Sequence, residues 1–393
     1  MIRIPLTIIG LYMSVVSAFS QATANSDSSA YKNRKLKFEE ANFVTSYYHQ
    51  DGNNSAVTGG IGTERLTDVS NTFDLKLSKY DSKDRLQNYN FELGFDVYSS
   101  ASSDKVDPNT ISSASAGDSR IYPSAAWTIT NEKKGQSFGV NAAISSEYDY
   151  LSFGGGISAS KNSKDNSRQI GVKAQAFLDQ VSIIYPIELR PAPYSSKARN
   201  SFSTSVALSQ IINQRLQVAM ILDLAYQNGF LSLPFNRIYF SDNSTGIEKL
   251  PDSRFKIPLG FRANYFLGDR YIIRAFYRYY QDDWGMQAHT ANIETSIKLS
   301  PFISVSPFYR FHTQSKIDYF SPYGTHNVSD EFYSSDFDLS KLNSHSGGIG
   351  FRAVSADGIL GITRLNSIEI RFDHYNRSTG LTSNIISLHA KFK

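Results

Sequence analysis

The sequence predicts an all-β fold, a transmembrane antiparallel β-barrel of about 16 strands behind a cleavable signal peptide. Segments of roughly ten residues alternate apolar and polar positions down to the last residue. Long and short connections alternate between them, and many segments oppose an apolar face with a charged one. Tyr89, Phe91, Leu93, Phe95 and Val97 share one face of such a segment; Asn90, Glu92, Gly94, Asp96 and Tyr98 share the other. Only a strand has that two-residue period. An apolar face turned to lipid and a polar face turned to a watery lumen is the pattern of a membrane barrel.

Met1 to Ser20 reads as a secretory signal, with Arg3, an apolar run from Ile4 to Val16, and small residues at Ala18 and Ser20. Ala22 and Ala24 offer a second cleavage point. The expected organisation is a signal peptide over 1–20, a polar periplasmic leader over 21–35 and a barrel over 36–393. Barrel segments are expected near 37–48, 69–79, 87–99, 119–130, 136–148, 150–160, 168–178 and 201–211. The remainder fall near 216–226, 256–266, 271–280, 288–299, 302–313, 345–354, 364–375 and 383–392.

Starting upward from the periplasm, the outer connections become 49–68, 100–118, a tight one near Asp149, 179–200, 227–255, 281–287, 314–344 and 376–382. The inner ones are short and turn-like, among them Asp81 to Arg85, Gly268-Asp269 and Ser300-Pro301. A soluble β-sandwich has no reason to sort its loops by rim. The final segment sets Ile386, Leu388, Ala390 and Phe392 against Ser387, His389 and Lys391. It resembles the C-terminal strand that the bacterial barrel-insertion machinery recognises, so that machinery and outer-membrane lipid are expected partners.

Composition narrows the function classes. With 40 basic and 36 acidic residues scattered through the chain, the net charge is only +4, which gives nucleic-acid binding no support. The absence of cysteine excludes disulfides, thiolate metal sites, a cysteine nucleophile and N-terminal lipidation. Mean hydropathy is −0.33, which a barrel tolerates because only alternate residues meet lipid. Tyr47, Tyr80, Trp127, Tyr148, Tyr226, Tyr271, Tyr279 and Tyr375 fall near segment ends, where aromatic girdles sit.

The long connections carry family-like wording. Asp51-Gly-Asn-Asn-Ser-Ala-Val-Thr-Gly-Gly-Ile-Gly-Thr-Glu64, Ser102-Ser-Asp-Lys-Val-Asp-Pro108, Asp282-Asp-Trp-Gly285 and His289-Thr-Ala-Asn292 resemble the domain-of-unknown-function 3570 family, DUF3570. The resemblance spans essentially the whole mature chain. It implies an outer-membrane barrel of Bacteroidota and some Proteobacteria, with no catalytic residue to carry over. The family's association with flavin-attachment and small lipoprotein genes implies a periplasmic lipoprotein or redox partner.

Inward parity gives an uneven charged wall. Asp74, Glu92, Asp96 and Glu147 are expected on one side of the lumen, and Arg262, Arg274, Arg278, Arg310, Arg352 and Arg371 on the other. Opposed charged rows order water and favour small polar solutes. The competing reading is local pairing that fills the lumen, for instance Glu369 with Arg352.

No metal or other cofactor is expected. The Asp51, Asn53 and Asn54 stretch, like Asp104 and Asp107, offers oxygens to calcium, but such runs read first as turns. The 7 histidines never occur at ligand spacing. His374-Tyr-Asn-Arg-Ser378 resembles the His-x-Ser-Asn motif of outer-membrane deacylases, yet Asn376 stands where the nucleophilic serine belongs and Ser378 is two residues away. No enzyme is therefore expected. The primary expectation is a passive or gated pore, with a non-conducting membrane partner of an exported redox or lipoprotein assembly as the alternative and a lipid hydrolase as the remote third.

Overall fold

The computed structural model describes residues 34–99, 117–186, 188 and 195–393. The expected signal peptide, most of the leader, the 102–108 motif and both Asp104 and Asp107 lie outside them.

Strands β1 (Lys37–Asp51), β2 (Leu66–Tyr80), β3 (Leu86–Tyr98), β4 (Asp118–Asn131), β5 (Gln136–Ser146), β6 (Tyr150–Asn162), β7 (Arg168–Ile183), β8 (Ser195–Asn213) and β9 (Leu216–Gly229) build the first part of the wall. A hairpin of β10 (Arg237–Tyr239) and β11 (Thr245–Ile247) stands apart from it. The wall resumes with β12 (Ser253–Leu267), β13 (Tyr271–Asp282), β14 (Gln287–Lys298), β15 (Ile303–Gln314), β16 (Leu342–Val354), β17 (Leu365–Arg377) and β18 (Thr382–Phe392). All strands except the hairpin pair antiparallel in chain order into one closed ring, so the 16-strand expectation holds. β1 and β18 close it from Ala41↔Phe392 to Asp51↔Thr382. Closure leaves no edge strand, which the hydrocarbon interior demands because nothing there can satisfy an unpaired backbone group.

Alternation decides which way each strand faces. Phe91, Leu93, Phe95 and Val97 are 45–50% exposed on the outside, while Gly94 and Asp96 on the other face are buried. The exposed belt continues through Phe73, Ile144, Phe153, Leu178, Met220, Phe261, Ile293, Phe351 and Ile370. In water such a belt would aggregate; in a bilayer it is the favoured surface. Tyr375 departs from the girdle expectation: it shares the inward parity of Arg371 and Arg377.

Observed strands run past the expected segments mainly at the outer end, as in β7, β8 and β16. Backbone pairing continues there although hydrophobic alternation has ended. The β10–β11 hairpin escaped sequence reading because each strand has only 3 residues. Its turn depends on Asn243 at φ +68° and on Asp242, whose carboxylate accepts the Ser244 amide at 2.9 Å.

The two rims differ in construction. Most inner turns are short, the connection 355–364 being the long exception; at Asp81 the carboxylate accepts the backbone amides of Arg85 and Lys83 at 2.9 Å each and Arg85 Nε at 2.7 Å. Three outer connections, 230–252, 283–286 and 315–341, instead fold together into a cap with its own apolar core of Leu250, Trp284, Met286, Ile317 and Phe320, flanked by Leu231, Tyr280, Phe337 and Leu339.

Candidate functional site

The cap is stitched to the inward side of the rim. Gln50 of β1 donates to the Glu64 carbonyl at 2.6 Å, and Arg199 of β8 donates to the carbonyls of Phe230 and Ser232 at 2.7 and 3.0 Å. Arg254 of β12 bonds to Asp282 and lies over the Trp284 ring at 4.3 Å. Gln314 of β15 donates to the carbonyls of Asp338 and Ser340, and Arg377 of β17 pairs with Asp338 and with Glu64. Because anchors on well-separated strands all point inward, the loops cover the mouth rather than splay from it.

Inside the cap, buried carboxyls hold the connections 230–252 and 315–341 together. Glu248 accepts the Leu233 amide at 2.7 Å, the Ser334 hydroxyl at 2.6 Å and the Asn236 amide group at 3.3 Å. Burial pushes the Glu248 carboxyl up against the opposing effect of those bonds. Asp336 is pushed up to about 8 by burial, helped by the negative charges of Asp338 and Glu248. His326, buried beside the Ser334 carbonyl at 3.1 Å, is pushed down by burial.

Beneath the cap the inward faces carry the charge. On the acidic side, Asp74 accepts from Asn42 at 2.9 Å, and Glu92 lies opposite it in register. Asp96 is held by Arg120 at 2.5 Å and by the Tyr122 hydroxyl at 3.0 Å. Gly94 makes this possible: a Cβ there would lie 1.9 Å from the Tyr122 ring, so only glycine lets the ring cross the wall. Glu147 is placed differently from the sequence expectation. β5 ends at Ser146, and Glu147 sits in the outer turn, accepting from the Tyr98 hydroxyl at 2.7 Å. The alternating pattern does break there, but Tyr148 imitates one more lipid-facing position.

Arg262, Arg274, Arg278, Arg310, Arg352 and Arg371 occupy inward positions on β12, β13, β15, β16 and β17. Ring order puts β12 eight places from β2 and β13 eight from β3, so acidic and basic walls stand on opposite sides. Glu294 of β14, which sequence reasoning passed over, organises the basic wall. It accepts from Arg274 at 2.7 Å and from Arg371 at 2.7 Å, three strands away. Arg371 gets there over the Phe308 ring, 4.8 Å from its centroid, and across Gly350, where a Cβ would lie 3.3 Å from its side chain. Inward parity marks Glu294, but nothing in the sequence shows that β17 could reach it. The Glu369–Arg352 pair does not form: Glu369 accepts from Arg371 at 3.0 Å, and Arg352 donates to Ser367 at 3.2 Å.

The histidine of the deacylase-like stretch faces outward. His374 Nδ1 lies 2.9 Å from Asn384 Oδ1, and Ser378 accepts the Asn343 amide at 3.0 Å. Among the described residues, one group brings several carboxylates together: Asp118, Glu147 and Asp149 at the outer rim, with oxygens within 4.8 Å of one another. Each has further polar contacts, and an acidic cluster alone does not define a metal site.

A closed antiparallel ring with an apolar exterior and a charged interior defines a transmembrane β-barrel of the bacterial outer-membrane class. The chain belongs to the protein family of unknown function DUF3570, whose profile matches residues 13–385. No curated protein matches it in sequence. Among solved structures it is similar to a BenF-like porin from Pseudomonas fluorescens Pf-5, with 8% identity, TM-score 0.45, and 92% of this chain and 100% of that chain covered. Pseudomonas aeruginosa OpdK with vanillate gives 7% identity and TM-score 0.43, over 92% of this chain and 99% of that one. The siderophore receptor PirA from Acinetobacter baumannii gives 8% and 0.45, over 87% of this chain and 53% of that one. At these identities the likenesses carry neither solute nor mechanism to this chain.

Proposed function

We propose that this protein is an outer-membrane pore for small polar solutes, with a charge-lined lumen and an outer mouth gated by the folded loop cap. One observation carries the reading: Arg274, Arg310 and Arg352 point inward and are nevertheless exposed. An inward side chain in a plugged barrel is buried, whereas one in a water-filled lumen is not. The acidic strip of Asp74, Glu92 and Asp96 opposite the arginines creates a transverse field that penalises apolar solutes and aligns dipolar ones. No acyl-transfer chemistry belongs to this reading, because a base without a hydroxyl in reach has nothing to activate.

The second reading, a non-conducting membrane partner of a periplasmic lipoprotein or redox assembly, draws on the cap itself, since a permanently covered mouth passes nothing. Purified protein in planar bilayers separates the two. The pore reading expects discrete conductance steps interrupted by closures. Absence of conductance both in the intact protein and in a variant lacking 317–339 would leave only the partner reading.

A further inference from the structure

Outward side chains of β17, β18, β1 and β2 lie in register as rows of four. Phe372, Ile386, Tyr47 and Val69 form one row, all apolar and 41–51% exposed. One step toward the outside the row reads His374, Asn384, His49 and Thr67. The next contains Asn376, Thr382 and Asp51, with Arg65 bonded to Asp51 at 3.4 Å. The face therefore changes from wholly apolar to wholly polar in a single step.

The level of this change varies around the rim. On β5, β6 and β7 the row Ile144, Phe153 and Leu178 is still apolar and exposed, although β5 ends two residues later. One row further out, however, β5–β7 carry Ser146, Leu151 and Gln180, and β14–β16 end on His289, Thr313 and Asn343, so the belt gives way to polar residues there as well; what sets the panel on β17, β18, β1 and β2 apart is the cleft above it. Hydrocarbon does not tolerate a wall of hydroxyls, amides and imidazoles, so the panel marks the level of the lipid headgroups.

The panel is built and has a recess above it. His374 Nδ1 engages Asn384, and His49 Nδ1 lies 2.9 Å from Thr67 Oγ1, which fixes both rings. Immediately outside lies a half-open cleft of about 490 Å³, lined by Asp51, Asn53, Thr63, Arg65 and Thr382 among others. Arg65, with its side chain 66% exposed, offers a planar fork suited to phosphate. The carboxylate, amide and hydroxyls beside it suit the hydroxyls of a sugar ring. A single cation balanced by Asp51 fits one phosphate on a polar ring better than a dense polyanion.

We propose that this cleft and the panel beneath it bind the phosphorylated sugar headgroup of an outer-leaflet glycolipid, with its acyl chains lying over Phe372, Ile386, Tyr47 and Val69. The proposal rests on the membrane placement of the barrel and not on conduction. A non-conducting barrel that retains the lipid would refute the pore alone.

Native mass spectrometry of the whole mature protein tests it, using three probes: monophosphorylated lipid A, phosphatidylglycerol and water-soluble glucosamine 1-phosphate. The expected result is preferential retention of lipid A, weakened about tenfold by Arg65→Ala and by His49→Ala, and untouched by Leu178→Ala on the opposite face. Heat-modifiable migration on gels reports that each variant is folded. If Arg65→Ala does not fold, competition between the lipids on the unaltered protein decides. Retention of phosphatidylglycerol as strong as that of lipid A, or equal lipid A retention in folded Arg65→Ala, would overturn the proposal. Glucosamine 1-phosphate binding as tightly as lipid A would show a soluble sugar phosphate to be the ligand and overturn the lipid assignment.

Discussion

The outer and inner halves of the lumen are made from the same strands and differ in almost everything else. At the outer end inward side chains such as Gln50, Arg254 and Arg377 are 4–6% exposed because the loops 52–65, 230–252 and 315–341 close over them. Toward the inner end Arg274 and Arg352 are exposed, bounded among the described residues by connections such as Asp81 to Arg85. A barrel wall specifies a cylinder; whether the cylinder is wet or dry is decided by what its loops do. The cap buries an apolar core of its own, and the proposed gating requires it to open while the wall stays folded.

The largest expected effect follows from removing that unit. Replacing 317–339 with a short Gly-Ser turn deletes Ile317, Phe320 and the Asp338 partner of Arg377, and should raise single-channel conductance several-fold with loss of closures. Unchanged conductance would mean that the cap lies beside the permeation path, and the contrast between the halves would then be one of burial only.

A smaller effect should come from pH. Asp336 titrates near 8 in the closed cap and Glu248 is also raised, whereas both revert to ordinary carboxyl values once the cap opens. Closing therefore takes up protons. The stability this gives the closed cap is complete below about pH 4, falls as pH rises toward 8 and changes little above that. Closures should be longer at pH 5 than at pH 9 in bilayer recordings, and Asp336→Asn should flatten most of the difference. A channel that closes more at alkaline pH would contradict the sign.

In the inner half the charge balance turns on Glu294. Glu294→Gln leaves Arg274 and Arg371 without their shared carboxylate and should shift the reversal potential toward anions; Arg274→Glu should shift it toward cations. Arg270→Glu, in the inner turn, should do much less. Equal shifts from the turn and lumen variants would show that selectivity arises at the mouth. The smallest effect, none, is expected for His374→Ala on acyl-chain composition, because Asn376 cannot form an acyl intermediate. Mass spectrometry of lipid A from cells with and without the variant checks this, and His374-dependent loss of an acyl chain would reinstate the hydrolase.

Much of the wall was legible in the chain. Where one face meets lipid and the other water, a two-residue period survives in composition, and Phe91, Leu93 and Phe95 announce it without ambiguity. Strand number, loop sorting and the opposed placement of Asp74 and Arg278 follow from that period and the closure of the ring. Glu147 was misplaced because parity says nothing about where a strand stops. Glu294 was missed because its partners come from β13 and β17, and a reach across intervening strands leaves no trace in spacing.

The sequence by itself determined a local quantity, the direction in which each strand residue points, because pleating fixes that residue by residue. The cap core of Leu250, Trp284, Met286, Ile317 and Phe320, the buried pair of Glu248 and Asp336, and the polar panel from His374 to Thr67 were decided only in three dimensions. Each depends on which loops and strands become neighbours when the ring closes, and that contact is a property of the assembled barrel rather than of any segment.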